Sequence, residues 1–391
     1  MMRRIYFWFL LKNFLIKLKG EAMGLISDIK HNIHLSALVT KGRLKSRKLP
    51  RISSNNDFPI DFVVTWVNGN DPVWRAERDK YSKDVNEKGN GAERYREWNH
   101  FMYWFRAVEK YAPWVRKVFL ITYGHIPEWL NTHYDKLVIV NHGDFIPKEY
   151  LPTFSSIPIE LNIHRIKDLS EHFVYFCDDV YLSRMTSKED FFVNGMPKYC
   201  SIAFPTFNGA YNGPFAHQLF GNIGLINGKF NIQSSIENNP ELWFSCIYKD
   251  KIYYNKFAYK VAYLSGMYFS HLGCPYRKST FEKVWAELSD KLCETCKHKF
   301  REYSDINHQV FSLWDILNGN FVPVDENYYG VKFGTLSKQI NKISEAFLSG
   351  DNLMICLNDS IDINEDNFSE IKINLDNILE CVFPEKSCFE K

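Results

Sequence analysis

Several features that would assign this chain of 391 residues to a common protein class are missing from its sequence. No run of about 18 apolar residues occurs, so no segment has the length and hydropathy of a membrane-spanning helix. Neither a G-x-x-x-x-G-K-S/T loop nor a G-x-G-x-x-G loop is present, which argues against the common nucleotide-binding loops. The G-x-S-x-G turn of α/β-hydrolases is also missing. Internal repeats and low-complexity tracts are not found either.

The composition is that of a globular protein with an excess of aromatic residues. Hydrophobic residues make up 45% and charged residues 24% of the chain, which excludes a disordered chain, a collagen-like fibre and a coiled-coil rod. Aromatic residues make up 16%. This content provides for a large core and suits a site that stacks rings or sugars.

Positive charge is concentrated at the start of the chain. Residues 1–51 contain twelve Lys or Arg and two acidic residues, whereas the rest of the chain has a net charge of −8. Within residues 1–22, Lys and Arg lie among Trp, Phe and Leu, as in an interfacial helix that anchors a peripheral protein to an anionic membrane. A removed signal peptide and a disordered leader, with Met23 as the true start, are the alternatives. Nucleic acid is not an expected partner, because no reading motif accompanies this basic arm.

The nine cysteines are odd in number and spread without a compact framework. This distribution favours reduced thiols in a cytoplasmic protein, attached peripherally to the inner face of the cell membrane if the arm is an anchor. His271, Cys274, Cys293 and Cys296 have the paired spacing of a zinc ribbon. The residues between them have helical spacing, where a ribbon would need β-hairpins, so structural zinc is the less favoured interpretation.

Buried strands alternate with helices between residues 58 and 200. Apolar runs predict strands at 60–67, 117–123, 137–140 and 173–177, and helical spacing predicts helices at 97–111, 127–131 and 156–166. This alternation is typical of an α/β fold with an open, mostly parallel sheet and helices on both faces. We therefore expect a Rossmann-like, GT-A-like architecture with a helical or irregular insertion. In such sheets the ligand binds at the carboxyl ends of the strands.

Two adjacent carboxylates, Asp178 and Asp179, directly follow the predicted strand 173–177. Carboxylates placed this close repel one another unless they are solvated or neutralised. Hard oxygen ligands of this kind suit Mg²⁺ or Mn²⁺, whose coordination is often completed by phosphates of a substrate, as in nucleotide-sugar enzymes of the GT-A type. A solvated turn at the end of the strand is the alternative.

Three other features are weaker candidates when each is taken alone. Glu160 and His164 are four residues apart, so on a helix they share a face that could point at the same strand ends. A surface ion pair is the alternative for these two residues. Arg301 carries a permanently charged fork of donors suited to phosphate. His271, considered without its neighbours, fits a polar core or surface position as well as a catalytic one.

Together these segments resemble one family, the Stealth proteins. Asp61–Trp74 is similar to the first conserved block of that family. The second block is matched by Arg94, Arg106–Trp114, Ile126–Leu130, Tyr150–Phe154, Glu160–Arg165 and Asp178-Asp179. The third looks like His271 with Pro275–Arg277 and Phe300-Arg301, and the short fourth like Ile355–Asp359. The resemblance covers roughly residues 58–360.

Stealth proteins are bacterial capsular polysaccharide phosphotransferases, similar to the catalytic core of the animal enzyme that tags lysosomal hydrolases with N-acetylglucosamine-1-phosphate. The resemblance implies transfer of a hexose-1-phosphate from a UDP-sugar to a hydroxyl of a growing capsular or cell-surface polysaccharide, with release of UMP. A metal-dependent GT-A glycosyltransferase, which would release UDP, is the first alternative. A non-enzymatic zinc or membrane scaffold is the second.

The resemblance also implies roles for individual residues. Asp179, supported by Asp178, would hold the divalent cation. His271 would be the general base, since an imidazole accepts a proton near neutral pH, and Glu160 would orient or assist it. Arg301 would stabilise charge on the phosphates. The remaining assignments are His164 and Arg165, which would support the helix of the assisting carboxylate, and Thr65, Trp66, Val67, Asn68 and Arg94, which would hold the uridine diphosphate.

The chain departs from the family pattern in places. Tyr123-Gly-His125 stands where Asp-Gly-Gln or Asn-Gly-Gln is common, and Met102 stands where an Arg is frequent. Residues 205–260 match no block of the family. These departures leave the transferred sugar and its acceptor open.

The division expected from these patterns has five segments. They are a basic arm with its linker, an α/β nucleotide-sugar-binding half, an insertion or lid, a helical second half that completes the active site, and a C-terminal tail. Their bounds are 1–57, 58–204, 205–265, 266–360 and 361–391.

Overall fold

The computed structural model describes residues 28–50, 57–82, 90–206, 214–359 and 363–391, together with Lys17 and Lys19. The predicted membrane-anchoring segment at residues 1–22 lies, apart from these two lysines, outside the described residues. Within the described part of the chain, no helix has both the length and the apolar character needed to cross a membrane.

The described residues form eleven strands and thirteen α-helices. The strands are β1 (Ile60–Thr65), β2 (Val118–Thr122), β3 (Leu137–Asn141), β4 (His172–Cys177), β5 (Val180–Leu182), β6 (Phe192–Val193), β7 (Met196–Tyr199), β8 (Cys274–Arg277), β9 (Val322–Pro323), β10 (Gly330–Phe333) and β11 (Met354–Leu357). The helices are α1 (28–46), α2 (Pro72–Tyr81), α3 (Phe101–Tyr111), α4 (His142–Phe145), α5 (Ser156–Asn162), α6 (Pro214–Lys229), α7 (Ile232–Asn238), α8 (Pro240–Trp243), α9 (Ile252–Val261), α10 (Lys278–Lys297), α11 (Gln309–Leu317), α12 (Leu336–Ser349) and α13 (Glu365–Val382).

A five-stranded sheet in the order β3-β2-β1-β4-β8 forms the centre of the molecule. The first four strands are parallel, and β8 joins the edge antiparallel to β4. The register places Thr65, at the end of β1, beside Ile121 on one side and Cys177 on the other. The predicted mostly parallel α/β sheet is confirmed, and the carboxyl ends of β1 and β4 lie side by side.

Helices cover both faces of this sheet, as strands of continuous apolar sequence require. Val63 and Tyr175 enter one core cluster together with residues of α5, α10 and α11. Phe62 and Phe176 are the strand neighbours of these two residues, and they belong to a second cluster with residues of α3, α12 and α13. The two-residue period of a strand explains this division. The prediction of helices on both faces is therefore confirmed.

Two smaller sheets complete the structure, in the orders β10-β11-β5 and β6-β7-β9. β11 pairs parallel to β10 and antiparallel to β5. At its end, the N–H of Leu357 donates a hydrogen bond to the carbonyl of Asp179 (2.9 Å). A strand from the second half of the chain therefore supports the turn that carries the paired carboxylates.

The described part of the expected insertion, 205–265, is largely helical. Its helices α6–α9 contribute Ile223, Trp243 and other buried residues to the cluster that also contains α5 and α10. Three glycines disfavour α6 as an isolated helix. A Cβ at one of them, Gly221, would lie 3.0 Å from Cδ1 of Ile306. Close packing against the core thus explains why this part of the expected helical or irregular insertion is helical.

The short helix expected at residues 127–131 is wrong. Leu130 instead forms an antiparallel bridge with Glu390. The N–H of Asn131 donates to the carbonyl of Phe389 (2.8 Å). Pairing with the end of the chain has overridden the local preference, as tertiary contacts commonly do for short segments.

The helical interpretation of the segment between the zinc-ribbon candidates is confirmed. Cys274 lies on β8, whereas Cys293 and Cys296 lie on α10. Asn162 of α5 donates to the sulfur of Cys296 (3.4 Å). These cysteines do not form a zinc site with His271, and all nine cysteines are free thiols.

Part of the basic arm belongs to the folded body. Helix α1 packs Leu35, Leu38 and Val39 into the same cluster as α5 and α10. The division of the chain into five segments otherwise stays a prediction.

Candidate active site

A cavity of about 230 Å³ opens at the carboxyl ends of β1 and β4, where open α/β sheets bind their ligands. We call it the central cavity. Its walls are formed by residues 65–67, 93–98, 153–156, 177–179 and 357–359, with single residues from other elements.

Most of the residues predicted for the site line this cavity, although they come from distant parts of the sequence. Those that line it are Thr65, Trp66, Val67, Arg94, Asp178, Asp179, His271 and Arg301. Those outside the lining are Asn68, Glu160, His164 and Arg165. The roles assigned to them stay predictions.

Three carboxylates converge on one side of the cavity. Burial, followed by the charges of Asp179 and Glu97, raises the pKa of Asp178 well above its usual value. One oxygen of Asp179, Oδ1, is buried and has no hydrogen-bond partner among the described residues. A divalent cation bound here would neutralise the repulsion and would satisfy the unpaired oxygen. The carboxylates therefore fit Mg²⁺ or Mn²⁺.

Glu97 is a member of this group that sequence reasoning missed. Its carboxylate accepts hydrogen bonds from Nε1 of Trp66 (3.1 Å) and from the N–H of Asn99 (2.7 Å). Burial raises the pKa of Glu97. It follows no strand and has no characteristic spacing, so no signal in the sequence marked it. Its bond to Trp66, whose ring also stacks on Phe101 with centroids 5.6 Å apart, fixes the indole at the cavity wall.

Two guanidinium groups line the same cavity as the carboxylates. Desolvation and, next in size, the charge of Arg301 lower the pKa of Arg94. Nη2 of Arg301 donates to Oγ of Ser156 (3.0 Å), and its backbone N–H donates to Oδ1 of Asn90 (3.1 Å). Like charges held together in a desolvated cavity favour a bound anion, and guanidinium groups match the geometry of phosphate.

His271 reaches the cavity because of the strand that follows it. β8 pairs with β4 through Cys274 and Tyr175, which brings the preceding loop beside the end of β4. The loop comes so close that a Cβ at Gly273 would lie 2.6 Å from the ring of Phe176. Burial lowers the pKa of His271 to about 4. The imidazole is therefore neutral near pH 7, and burial makes it a weaker base than a solvated histidine.

A thiol, a carboxylate and an imidazole meet beside this loop. Sγ of Cys177, an oxygen of Asp179 and a ring nitrogen of His271 all lie within 4.8 Å of one another. Within the described ranges, this is the one group of three or more His, Cys, Asp or Glu side chains with such spacing. Burial raises the pKa of Cys177 well above its usual value, so the thiol is protonated. The thiol of Cys356 donates to Oδ2 of Asp179 (3.6 Å).

Glu160 lies behind the cavity wall. Its Oε1 accepts a hydrogen bond from the hydroxyl of Tyr175 (3.2 Å), which is also 3.1 Å from Oγ1 of Thr65. Its Oε2 is 4.0 Å from Nε2 of His308. The ring of His308 is held by the hydroxyl of Tyr276, 2.7 Å from Nδ1. The carboxylate is thus connected to the cavity through two hydroxyl groups, neither of which the sequence marked as a relay.

His164 and Arg165 lie in the short turn that follows α5, and both contact α10. The ring of His164 is 5.7 Å from that of Phe281 and 5.9 Å from that of Trp285, measured between centroids. The guanidinium of Arg165 is 4.8 Å from the centre of the Trp285 ring. α5 ends at Asn162 and a tighter 3₁₀ turn follows, so residues four apart no longer share a face. The expected common face toward the strand ends is wrong.

His125, one of the departures from the family pattern, holds the loop after β1. The N–H of Asn68 donates to Nε2 of His125 (2.9 Å), so the ring carries its proton on Nδ1. Burial lowers the pKa of His125, which favours this neutral, accepting form. The backbone of Asn68 is therefore fixed by His125, next to the lining residue Val67.

An ion pair closes the side of the cavity nearest β11. Nη1 of Arg96 lies 2.7 Å from Oδ1 of Asp359, and Nε1 of Trp98 donates to its Oδ2 (3.0 Å). Arg96 also donates to the carbonyl of Ile363 (2.7 Å). Arg96 and Trp98 were missed in the sequence, although Asp359 ends the segment that resembles the fourth conserved block.

Two family models match this chain. Residues 58–85 match the family model of Stealth protein conserved region 1, and residues 94–199 match that of conserved region 2. A solved structure of the galactosyltransferase LgtC, in complex with donor and acceptor sugar analogs, covers 80% of this chain and 95% of its own, at 10% identity and a TM-score of 0.32. That likeness is too weak to support an argument.

Relatives match this chain over most of its length. The capsular polysaccharide phosphotransferase WcwK of Streptococcus pneumoniae is 42% identical over 85% of this chain and 99% of its own. The receptor polysaccharide phosphotransferase WefC of Streptococcus oralis is 35% identical over 85% of this chain and 99% of its own. The exopolysaccharide phosphotransferase cps2G of Lactiplantibacillus plantarum is 34% identical over 86% of this chain and 98% of its own. This chain therefore belongs to the Stealth protein family.

Proposed function

We propose that the protein transfers a hexose-1-phosphate from a UDP-sugar to a hydroxyl of a growing capsular or cell-surface polysaccharide, and that it releases UMP. The main support is the composition of the central cavity, where carboxylates that fit a divalent cation, paired guanidinium groups and a neutral imidazole occur together. The names of the relatives, all polysaccharide phosphotransferases, point to the same reaction.

The donor would bind through its diphosphate. Asp178 and Asp179 would hold Mg²⁺ or Mn²⁺, which neutralises charge on the diphosphate when bound. Arg94 and Arg301 would bind the phosphate oxygens, and Arg301 would stabilise the charge that develops as the bond to the leaving group breaks. Trp66 and its neighbours at the end of β1 would hold the uridine end. The protein thus supplies position and charge, which is what phosphoryl transfer needs most.

The acceptor hydroxyl would attack the β-phosphorus of the donor. A bond forms between the acceptor oxygen and the β-phosphorus, the bond to the bridging oxygen breaks, and UMP departs with that oxygen. His271 would take the hydroxyl proton, because its imidazole is neutral in the cavity. Glu160 would act from behind the wall by positioning Tyr175 and Thr65, and it would not touch substrate.

The acceptor and the cellular setting complete the proposal. The relatives are named for polysaccharides, and a sugar hydroxyl of such a polysaccharide would be the acceptor. We place the protein in the cytoplasm, with its N-terminal arm in peripheral contact with an anionic membrane, because the arm combines basic and aromatic residues.

Analysis of the nucleotide product tests the proposed function. The full-length protein is incubated with a panel of UDP-sugars, Mg²⁺ and a capsular oligosaccharide, and the nucleotides are separated by ion-exchange chromatography. UMP released in proportion to acceptor consumed would support the proposal. UDP as the only nucleotide product would refute it in favour of a glycosyltransferase that breaks the bond between the sugar and its phosphate.

A further inference from the structure

The donor atoms beside His271 are of a different kind from those that suit Mg²⁺ or Mn²⁺. Mg²⁺ and Mn²⁺ prefer carboxylate, carbonyl and water oxygens, whereas thiolate and imidazole ligands suit Zn²⁺. Cys177, Asp179 and His271 supply one sulfur, one oxygen and one nitrogen, all within 4.8 Å of one another. Asp179 also has a buried oxygen without a hydrogen-bond partner among the described residues.

We infer that the central cavity holds a second, overlapping metal site in which Cys177, Asp179 and His271 bind Zn²⁺ or a similar borderline-soft cation. Bond lengths of about 2.0–2.3 Å to zinc place neighbouring ligand atoms about 3.3–3.6 Å apart in a tetrahedral site. Since the three atoms lie within 4.8 Å of one another, they need to approach by about 1.5 Å at most. Three protein ligands leave a fourth position toward the cavity, as in open zinc sites.

A cysteine sulfur is a suitable ligand for zinc. A bound zinc ion displaces the proton from a coordinating thiol, and the proton passes to solvent. Binding should therefore release one proton per ion from Cys177. The neighbouring thiol of Cys356, which donates to Oδ2 of Asp179, would keep the second carboxylate oxygen oriented.

Occupation of this site would stop the proposed reaction, a consequence that rests on the proposed function. The site shares Asp179 with the hard cation and takes the ring nitrogen of His271 that would accept the acceptor proton. Zinc binds N and S ligands more tightly than Mg²⁺ or Mn²⁺ does. Micromolar zinc should therefore inhibit turnover in the presence of millimolar Mg²⁺.

Cobalt(II) spectroscopy tests the site independently of turnover. Metal-free, full-length protein is titrated with Co²⁺, which has the ligand preferences of zinc and shows a near-ultraviolet charge-transfer band when bound to a thiolate. One equivalent should produce the band, Cys177→Ser should abolish it, and the matched half-buried control Cys246→Ser should keep it. Absence of the band from the wild-type protein, or its persistence in Cys177→Ser, would overturn the inference.

A second variant covers the case in which Cys177→Ser does not fold, as judged by circular dichroism. His271→Ala keeps the thiolate but removes one ligand, so the cobalt band should persist with an affinity at least tenfold weaker. Unchanged affinity in that variant would also overturn the inference.

The activity experiment separates the inference from the proposed function. For each variant, we compare the rate with zinc to the rate of the same variant without zinc. The zinc concentration that halves the rate should be at least tenfold higher for Cys177→Ser than for Cys246→Ser. Robust UMP release that zinc does not affect would refute the overlapping site alone. No UMP release from any UDP-sugar would refute the proposed function, and the cobalt spectrum would still decide whether the site exists.

Discussion

Replacement of Arg301 by Ala should lower turnover by about 10²- to 10³-fold while the protein stays folded. At a separation of about 4 Å and an effective dielectric constant of about 20, a guanidinium and a phosphate charge interact by about 4 kcal/mol. If most of that energy is gained as charge develops in the transition state, the loss corresponds to two to three decades in kcat. Stability should not fall by much, because the substitution also relieves repulsion with Arg94.

Steady-state kinetics of UMP release, with kcat and KM determined separately, measures this effect. Arg184→Ala is the matched control, because it removes a guanidinium that lies 3.6 Å from Asp190, outside the cavity. That variant should keep its rate within about threefold of wild type. A near-wild-type rate for Arg301→Ala, or an equal loss in both variants, would refute the assignment of Arg301 to the phosphates.

Four further substitutions test other parts of the account. Asp179→Ala and His271→Ala should each lower turnover by about 10²-fold or more without loss of the folded state by circular dichroism, and near-wild-type rates would remove either residue from the mechanism. Gly273→Ala should lower the free energy of unfolding by about 1–3 kcal/mol in urea titrations, because its Cβ would lie 2.6 Å from a buried ring of β4. Gly143→Ala, where nothing lies within 4 Å of the added atom, should change it little, and equal effects would contradict the packing argument. Burial lowers the pKa of His164 to about 3, whereas the pKa of a histidine in the unfolded chain is about 6.5. Between these two pH values the unfolded state binds a proton that the native state does not, so the free energy of unfolding falls as the pH drops. His164→Phe should therefore retain about 2 kcal/mol of the stability that the wild type loses between about pH 7.5 and pH 5, whereas an identical acid dependence would show that this ring titrates normally in the native state.

The central sheet and the location of the site could be predicted because they depend on local patterns. β1 and β4 are buried on both faces, so their sequences read as nearly continuous apolar runs. Parallel strands bring their carboxyl ends to one edge, and the acidic pair Asp178 and Asp179 stands directly after one of those ends. Distant residues such as His271 and Arg301 have no local signal, and only the family resemblance placed them at the same edge.

The features that the sequence did not predict depend on contacts between distant segments. Leu130 pairs with Glu390, a contact that no local pattern could reveal. The glycine-rich helix α6 is stabilised by the core it packs on, against its weak intrinsic preference. Glu160 and His164 were expected to share a face that could point at the strand ends, but the 3₁₀ turn after α5 moves His164 off that face. Glu160 contacts the hydroxyl of the lining residue Tyr175 and does not itself line the cavity.

The central claim is that the sugar leaves the donor with its phosphate still attached. The most direct test uses a UDP-sugar that carries ³²P only at the β-phosphorus, incubated with the full-length protein, Mg²⁺ and an oligosaccharide acceptor. The account predicts that the label enters the glycan as a phosphodiester that resists phosphatase. Label recovered entirely in UDP, with a product free of phosphate, would contradict it.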